Sequence, residues 1–533
     1  TTEEGKGGWD KENFIQEVKK VEIVVKENEM AEADTLPKLL TEKYHKLGDS
    51  KIAMRRKDRG IWKKYTWKDS YLMVKYLTLA LISLGFEPGD KVSILGDNDP
   101  EWFWMEYAAQ AAGGTATGIY TDCMPGEVKY IAAHSDSKAI GARDQEQVDK
   151  ILAIKNELPN LKKVVYWDRK GMWSYDDPIL ASFDEMIELG KRCEEINPGL
   201  FERRVEEGKA DDAAVLCYTA GTTALPKAAM LTHRQIISGA ERLNSRLPLT
   251  EIDNYVSYMS PAWVAEQYQG IVNSVLAGIM VNFIEEPETV QEDVRDISPQ
   301  FLLYASRQWE SLMSGIQVKI GDTSSIKRFA YNLFLPVGYK IGDTLYQRRQ
   351  PSLFWKTLYK LGDWAVFGEL RDKLGLRKIK HAISGGTYVG PDVYRYFAAI
   401  GSEIKNIYGM TEGTPQTLQS EGNMKLGSAG PPVRSGEVMI SDEGEILFRG
   451  PNLFSGYYKD PETTEKTMRG GWLHTGDAGH IDEDGHLYFL ERVSDLMVLA
   501  GGARFSPTYI ESRLKFSPYI RDAMVIGDET KPF

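Results

Sequence analysis

Short apolar runs alternate with longer amphipathic segments along most of the chain. A segment with apolar positions at helical spacing covers 66–84, stops at Gly85 and is followed by the apolar run 91–95. The same order recurs over 102–166 and over 256–407. Helices that alternate with short buried runs are typical of a mostly parallel sheet covered on both faces. The pattern therefore predicts an α/β fold.

The rhythm changes along the chain, and the changes predict its organisation. Short strands separated by Gly, Asp and Pro turns replace the helix–strand alternation after residue 432. The predicted units are a solvated lead-in (1–34), a first α/β subdomain (35–210), a second α/β subdomain (211–432) with a helical insertion (316–376), a β unit (433–492), and the start of a small α+β C-terminal subdomain (493–533). In this last unit we predict a helix at 507–516 and a strand at 523–526.

Composition narrows the class of protein. With 65 Lys and Arg against 77 Asp and Glu, the net charge is −12, so no general basic field is available to attract nucleic acid. The three cysteines (Cys123, Cys193 and Cys217) show no CxxC spacing, and we expect a reducing, cytoplasmic location. No apolar run reaches the roughly 18 residues that a membrane-spanning helix needs.

A loop of small and hydroxylated residues follows the apolar run 213–218. It reads Thr219-Ala220-Gly221-Thr222-Thr223-Ala224-Leu225-Pro226-Lys227. An amphipathic segment at 234–243 comes after it, so we predict a strand-to-helix loop. Backbone N–H groups, hydroxyls and one ammonium suit phosphate oxygens, although a surface turn is the commoner role of such a loop. It is not a Walker A loop, because Pro226 precedes Lys227 and Ala228 follows it.

Four more motifs follow this loop. In chain order they are Ser384-Gly385-Gly386, Tyr408-Gly409-Met410-Thr411-Glu412, Thr475-Gly476-Asp477 and Glu491-Arg492-Val493-Ser494-Asp495. The first two come after predicted strands at 378–383 and 403–407. Because ligands bind at the carboxyl ends of strands in open α/β sheets, we expect these loops and the 219–227 loop to surround one crevice.

Taken in this order, the five motifs resemble those of the adenylate-forming superfamily, which includes acyl-CoA synthetases, luciferases and peptide-synthetase adenylation domains. The resemblance covers residues 35–533 and is greatest to long-chain fatty acid–CoA ligases, because of the insertion at 316–376 and the form of the 408–412 motif. It implies ATP-dependent conversion of a carboxylic acid, most naturally a long-chain fatty acid, to an acyl-adenylate. Transfer of the acyl group to coenzyme A would follow, with Mg²⁺ as the metal.

The resemblance also assigns roles to residues at the phosphates. The loop residues that would hold the β- and γ-phosphates are Thr219, Gly221, Thr222, Thr223 and Lys227. Thr411 resembles the contact to the α-phosphate and Glu412 the magnesium ligand, and one carboxylate combined with substrate oxygens is an ordinary way to hold this ion. In isolation, a turn or a helix cap would account for the same residues.

The remaining roles concern the nucleoside, the acid and a hinge. By resemblance, Tyr408 and Gly409 lie at adenine, Gly385-Gly386-Thr387 lies against adenine and the acyl group, Asp477 and Arg492 reach the ribose, Trp263 lines the acyl pocket, and Ser494-Asp495 is the hinge of the last subdomain. Without the other motifs, Tyr408 would more often be a core residue, Asp477 part of a turn and Arg492 a surface cation.

The sequence departs from the family pattern at several positions. Alanine stands at 220, 224 and 228, where the family usually has Ser, Gly and Gly. A lost hydroxyl costs about 1.5–3 kcal/mol of phosphate binding, and a left-handed alanine about 1–2 kcal/mol of strain, so we expect lower activity or another loop path. Trp263 replaces a frequent histidine. The family's C-terminal lysine would lie beyond Phe533, and we expect the last subdomain to be incomplete here.

Two other functions stay open at this point. The alanines and the absent lysine also fit a pseudoenzyme that binds ATP or acyl-AMP, and an adenylation domain could pass the acyl group to a carrier protein. For the insertion at 316–376, a packed surface subdomain is the ordinary interpretation. A peripheral membrane contact or a homodimer contact is the alternative, because apolar residues stand beside cations there.

Overall fold

The computed structural model describes residues 33–219, 225–386, 389–433, 436–500, 504–514, 520 and 522–527. Nearly all of the predicted lead-in at 1–34 lies outside these residues. The strands are β1 (Ile52–Asp58), β2 (Ile61–Thr66), β3 (Lys91–Leu95), β4 (Thr115–Ile119), β5 (Ser137–Ala142), β6 (Lys163–Tyr166), β7 (Leu180–Ser182), β8 (Ala213–Thr219), β9 (Lys227–Thr232), β10 (Asn254–Ser257), β11 (Met280–Phe283), β12 (Phe301–Tyr304), β13 (His381–Ser384), β14 (Ile404–Met410), β15 (Thr414–Leu418), β16 (Glu437–Ile440), β17 (Glu445–Arg449), β18 (Met468–Arg469), β19 (Trp472–Ile481), β20 (Leu487–Arg492), β21 (Met497–Val498) and β22 (Arg504–Phe505).

The helices separate these strands in the alternation that the hydrophobic pattern predicts. They are α1 (Leu36–Leu47), α2 (Trp67–Ser83), α3 (Pro100–Ala111), α4 (Pro125–His134), α5 (Gln145–Leu152), α6 (Phe183–Ile196), α7 (Leu200–Glu207), α8 (His233–Arg246), α9 (Val264–Glu266), α10 (Asn273–Ala277), α11 (Val290–Ile297), α12 (Ser306–Gly321), α13 (Ser325–Tyr346), α14 (Leu353–Gly362), α15 (Gly368–Lys373), α16 (Pro391–Ala399), α17 (Pro461–Thr467) and α18 (Pro507–Leu514). Helix α2 shows why the pattern works: Thr66 and Asp69 form a capping box at its start, and Gly85 follows its end with a φ of +80°.

Two sheets with parallel centres form the body of the protein, which confirms the α/β prediction. The first has the order β7-β6-β5-β3-β4-β8-β9, and the second the order β15-β14-β13-β12-β10-β11-β1-β2. Antiparallel pairing occurs at one edge of the first sheet, where β9 follows β8, and at both edges of the second. Helices cover the sheets, and the apolar residues of both helices and strands are buried between them.

The two sheets exchange strands, and this corrects two expectations. The hairpin β1–β2 belongs to the second sheet, where Met54 pairs with Val281. The strands on either side of the 219–227 loop belong to the first sheet, so the loop closes that sheet and does not open the second α/β unit. The loop also joins two antiparallel strands, with Thr219 opposite Lys227, and is not a strand-to-helix loop. The buried residues of β9 pair with β8 and form a strand before α8 begins.

The predicted β unit is present as a curled antiparallel sheet. It has the order β16-β17-β19-β18, and β20 pairs with β19. The following residues form the short pair β21–β22 and helix α18. The predicted strand at 523–526 is wrong, because residues 522–527 have no strand pairing in the described part of the chain.

A buried carboxyl group lies beneath the first sheet. Glu106 of α3 has no exposed surface, and its two oxygens accept hydrogen bonds from Gln110 Nε2 at 3.0 Å and Gln267 Nε2 at 2.9 Å. Burial raises the pKa of Glu106 to about 8, against the opposing effect of the two amides. The group is therefore protonated in the folded protein at neutral pH.

The helical insertion packs by one face and exposes the other. On the inner face of α13, a Cβ at Gly338 would lie 2.3 Å from the carbonyl oxygen of Ala399, so only glycine allows α13 to approach α16 this closely. The outer surface carries exposed large apolar side chains, at Ile326, Phe329, Leu333, Leu353, Phe354, Leu361 and Trp364. None of the described helices is long and apolar enough to cross a membrane.

Candidate functional site

The ends of β8 and β9 bring the first two predicted site residues together. Thr219 and Lys227 are cross-strand partners, and the Thr219 hydroxyl donates to the Lys227 carbonyl oxygen at 3.4 Å. The Lys227 ammonium lies 5.4 Å from the centre of the Tyr457 ring. Other residues predicted here or discussed with the loop lie outside the described residues: Ala220, Gly221, Thr222, Thr223 and Ala224.

Neither of the two glycines after β13 could carry a side chain without strain. A Cβ on Gly385 would lie 2.6 Å from Ile407 Cγ2, closer than real Cβ contacts. Gly386 has a φ of +85°, and its Cβ would face the Trp263 ring at 3.6 Å. The backbone of Gly386 and the indole of Trp263 therefore form one wall of the cavity described below, and their role as an acyl pocket stays a prediction. Thr387 lies outside the described residues.

Strand β14 extends further than the sequence indicated. It continues through Met410 and pairs with β15, so Tyr408 and Gly409 lie in a strand and not in the loop after it. The turn between the two strands contains Thr411 and Glu412. Glu412 is 6% exposed, and its Oε1 accepts a hydrogen bond of 2.5 Å from the Tyr457 hydroxyl. The turn thus presents a buried carboxylate with a fixed orientation.

The third group of predicted residues lies in the antiparallel sheet. Asp477 of β19 and Arg492 of β20 are register partners, and Arg492 Nε lies 3.1 Å from Asp477 Oδ1. Arg492 also donates from Nη1 to the carbonyl oxygen of Thr475 at 3.0 Å. The other oxygen of Asp477 accepts from the Tyr408 hydroxyl. Burial raises the pKa of Asp477, and the Tyr408 hydroxyl and the Arg492 guanidinium act against this shift.

The Tyr408 ring is packed among aromatic side chains. Its centre lies 5.7 Å from the centres of Phe448 and Phe489. The predicted stacking of Tyr408 on adenine stays a prediction.

One cavity of about 600 Å³ joins the three groups of residues. The predicted site residues that line it are Thr219, Lys227, Trp263, Gly385, Gly386, Gly409, Thr411, Glu412 and Arg492. Tyr408 and Asp477 do not line the cavity. Asp477 contacts Arg492, which lines it, and Tyr408 precedes Gly409, which also lines it. Apolar residues line another part, among them Leu243, Val264, Leu303, Ile407 and Met410. The cavity therefore combines a polar and cationic region with an apolar one.

Sequence reasoning missed part of this lining. Tyr457, Lys466, Arg469, His474 and Glu445 also face the cavity. Arg469 Nη2 and Glu445 Oε2 lie 3.0 Å and 2.9 Å from His474 Nδ1, so these three side chains form a polar cluster. The only sequence signal was the closeness of 466–474 to the Thr475-Gly476-Asp477 motif.

The predicted hinge residues lie beyond the cavity. Ser494 and Asp495 are exposed and follow β20, where the Ser494 hydroxyl donates to Asp495 Oδ1 at 2.8 Å. Their role as a hinge stays a prediction.

The cavity residues fit a magnesium ion that arrives with a phosphate ligand. Among the described residues, no group of three or more His, Cys, Asp or Glu side chains could hold a metal. Glu412 supplies a single buried carboxylate at the cavity wall. Mg²⁺ commonly binds one or two carboxylates and completes its shell with water and substrate phosphates, so this donor set is chemically suitable.

Residues from two parallel-rich sheets and from an antiparallel sheet thus line one cavity. The chain belongs to the AMP-binding enzyme family, whose profile matches residues 42–458.

Comparison with individual proteins agrees with this. The chain is 30% identical over 515 residues to the long-chain-fatty-acid–CoA ligase ACSBG1 of Rattus norvegicus, covering 93% of this chain and 70% of that protein. It is 29% identical over 513 residues to the long-chain-fatty-acid–CoA ligase ACSBG2 of Xenopus laevis, covering 93% and 68%. The anthranilate CoA ligase AuaEII, solved with anthranoyl-AMP, shares the fold with a TM-score of 0.69 at 18% identity, covering 92% of this chain and 83% of that chain.

Proposed function

We propose that the protein activates a long-chain fatty acid with ATP and transfers the acyl group to coenzyme A. The observation that carries this proposal is the single cavity that joins Lys227, Glu412 and Arg492 to an apolar wall at Trp263. A carboxylate is a poor acyl donor, and its attack on the α-phosphorus of ATP must bring two anions together. A site for this step needs fixed cations and donors at one end and an apolar pocket at the other.

In the first half-reaction, a carboxylate oxygen of the acid forms a bond to the α-phosphorus, and the bond to the bridging oxygen breaks as pyrophosphate leaves. Lys227 would neutralise the leaving phosphates, and the Thr219 hydroxyl would hold them by exchanging its hydrogen bond to the Lys227 carbonyl oxygen for one to phosphate. Thr411, next to Glu412 in the turn, would contact the α-phosphate. Mg²⁺ held by Glu412 would neutralise phosphate charge when it is bound.

The other side chains would hold the nucleoside and the acid. Asp477 has one carboxylate oxygen toward Arg492 and the other toward Tyr408, which fixes its plane for the ribose hydroxyls. Gly385 and Gly386 let the ligand approach the backbone, and Trp263 would exclude water from the acyl chain. In the second half-reaction, the thiolate of coenzyme A attacks the acyl carbonyl and AMP leaves.

Acid-dependent exchange of labelled pyrophosphate into ATP tests the first half-reaction, and formation of acyl-CoA tests the second. We expect exchange with long-chain acids and its loss in Glu412→Gln, whereas Asp442→Asn at an exposed turn should behave as the parent. No exchange across saturated acids of two to twenty carbons would contradict the proposal. Tight ATP binding without exchange would favour a pseudoenzyme, and exchange without acyl-CoA would favour an acyl-carrier acceptor.

We further propose that the insertion at 316–376 contacts an anionic membrane surface. Residues 316–376 contain ten Lys and Arg and five Asp and Glu, a net charge of +5 in a chain of −12. Their outer surface exposes Trp364 at 83%, Leu353 at 81% and Phe354 at 68%. Large apolar side chains beside cations favour the interface of an anionic bilayer.

Co-sedimentation with vesicles tests this contact. We expect binding to vesicles containing phosphatidylglycerol, weaker binding to phosphatidylcholine alone, and loss of binding in Trp364→Ser/Phe354→Ser. Trp173→Ser, at an equally exposed tryptophan outside the insertion, is the matched control. Equal vesicle binding by Trp364→Ser/Phe354→Ser and by Trp173→Ser would show that the insertion makes no membrane contact. A homodimer in sedimentation velocity that Trp364→Ser/Phe354→Ser dissociates would show that this surface binds a second copy of the chain instead.

A further inference from the structure

Residues 454–458, here called the strap, connect parts of the cavity that come from different sheets. The strap runs beside β9: Ser455 N donates to the Met230 carbonyl oxygen at 3.0 Å, and Tyr458 N donates to that of Ala228 at 2.8 Å. At its other end, Phe454 N donates to the carbonyl oxygen of Glu412 at 2.8 Å. The strap therefore ties the strand that begins with Lys227 to the turn that carries Glu412.

Tyr457 is the residue of the strap that contacts both functional groups. Its hydroxyl donates to Glu412 Oε1 at 2.5 Å, and the Lys227 ammonium lies 5.4 Å from its ring centre. The side chain is 9% exposed and lines the cavity, and its backbone N–H donates to Thr464 Oγ1 at 2.8 Å. Within the described part of the chain, Lys227 forms no ion pair. A phenol thus lies between a cation and a carboxylate that line one cavity.

We propose that Tyr457 is a positioning residue: its hydroxyl orients the Glu412 carboxylate, and its ring holds the Lys227 ammonium, before Mg²⁺ and ATP bind. The hydroxyl can donate to only one oxygen of Glu412, which leaves the second oxygen for the metal. The ring attracts the ammonium without neutralising it, so Lys227 keeps its charge for phosphate. The inference rests on the proposed function only in taking ATP as the phosphate ligand.

The test measures ATP binding to the full chain by calorimetry, at a series of Mg²⁺ concentrations and in EDTA, with no acid present. In Tyr457→Phe we expect the Mg²⁺ concentration for half-maximal enhancement of binding to rise about tenfold, with little change in EDTA, because only the bond to Glu412 is lost. Tyr457→Leu removes the ring as well and should weaken binding in EDTA too. The matched control is Tyr458→Phe, whose hydroxyl donates to Asp136 Oδ2 at 3.0 Å instead.

A double-mutant cycle separates positioning from folding. In a Glu412→Gln background, Tyr457→Phe should have no further effect on the Mg²⁺ dependence, because the two residues act together. Additive effects, or equal losses with Mg²⁺ and in EDTA, would overturn the inference. If pyrophosphate exchange fails for every acid while this Mg²⁺ dependence holds, the ligase proposal falls and the inference stands. If exchange occurs and Tyr457→Phe changes nothing, the inference alone falls.

Discussion

Arg492 and Asp477 face each other across neighbouring antiparallel strands, 3.1 Å apart from Nε to Oδ1. Arg492, the last residue of β20, thus forms an ion pair with an aspartate 15 residues earlier in the chain, and this ion pair restrains the Asp477 carboxylate. Because Tyr408 binds the other oxygen, rotation of the Asp477 side chain would break two interactions. The carboxylate is thus oriented before any ligand arrives.

Asp477→Asn should weaken ATP binding by about 10-fold to 100-fold. The amide keeps the shape of the side chain but replaces one acceptor oxygen with a donor, which cannot accept from a ribose hydroxyl, and hydrogen bonds to charged groups are worth about 1.5–3 kcal/mol. Fluorescence titration with ATP measures the affinity. Asp442→Asn is the control, and an unchanged affinity in Asp477→Asn would contradict the ribose assignment.

ATP binding should also weaken at acid pH through Asp477. Burial raises the pKa of this carboxyl group above its usual 3.8, so it becomes protonated at a higher pH than an exposed aspartate. Binding that needs the ionised form is therefore lost as the pH falls through this raised pKa. The pH dependence of ATP affinity measures the effect, and Asp477→Asn should flatten the acid limb of the curve.

Trp263→His should broaden the range of acids that the protein activates. The indole lies against Gly386 and occupies space that a smaller ring would leave free. We expect kcat/KM to rise for bulkier or more polar acids and to fall by about 10-fold to 200-fold for linear ones, since one lost methylene contact in an apolar pocket is worth about 1–3 kcal/mol. Gly386→Ala should lower activity with every acid, because its φ of +85° disfavours a side chain. An identical acid profile for Trp263→His would place the acyl chain elsewhere.

Glu106→Gln should make stability less sensitive to pH. The folded pKa of about 8 lies above the usual glutamate pKa of 4.5, so the folded protein holds an extra proton between these pH values. Stability from this group is complete below about pH 4.5 and decreases as the pH rises through 8, with a slope approaching about 1.4 kcal/mol per pH unit. Melting temperatures between pH 5 and 9 measure the slope. A parallel decline in the glutamine variant would contradict this account.

Restoring the family residues in the phosphate loop should raise activity. Ala220→Ser adds a hydroxyl for phosphate, worth about 1.5–3 kcal/mol, and Ala224→Gly removes any strain of a left-handed backbone. We expect a lower KM for ATP in the double variant. Ala228→Gly is the contrasting change: Ala228 is buried in β9, where glycine costs roughly 0.5–1 kcal/mol, so it should lower stability without raising activity.

Periodicity predicted the helices because their side chains alternate between core and solvent at fixed spacing, and short apolar runs predicted the central strands because both faces of these strands are buried. The capping signals of α2 are local, and the sequence contained them completely. Strand partners are not local. Nothing near β1 indicates that Met54 pairs with Val281. The loop at 219–227 resembled a strand-to-helix connection because β9 runs directly into α8, which begins at the next residue.

In the candidate site, too, local features were predictable from the sequence and contacts between distant segments were not. Motif order indicated most of the predicted residues that line the cavity, and the convergence of the loops after β8, β13 and β14 followed from the ends of parallel strands. The position of Asp477 and Arg492, on antiparallel strands of another sheet, did not follow from that rule. Tyr457 was missed because a tyrosine beside a turn has no distinguishing pattern, and its contacts with Glu412 and Lys227 depend on a segment more than 40 residues from either. Such contacts arise from packing between sheets, which one sequence does not reveal.

The exchange of strands between the sheets has a consequence for biosynthesis. A ribosome releases the hairpin 52–66 long before its neighbour 280–283, so β1 pairs only with β2 while the strands of the first sheet are being synthesised. Dividing the chain after residue 210 would leave one fragment with the hairpin but without β11, and the other without that edge of its sheet. We therefore expect the two halves to fold only as a single translated unit.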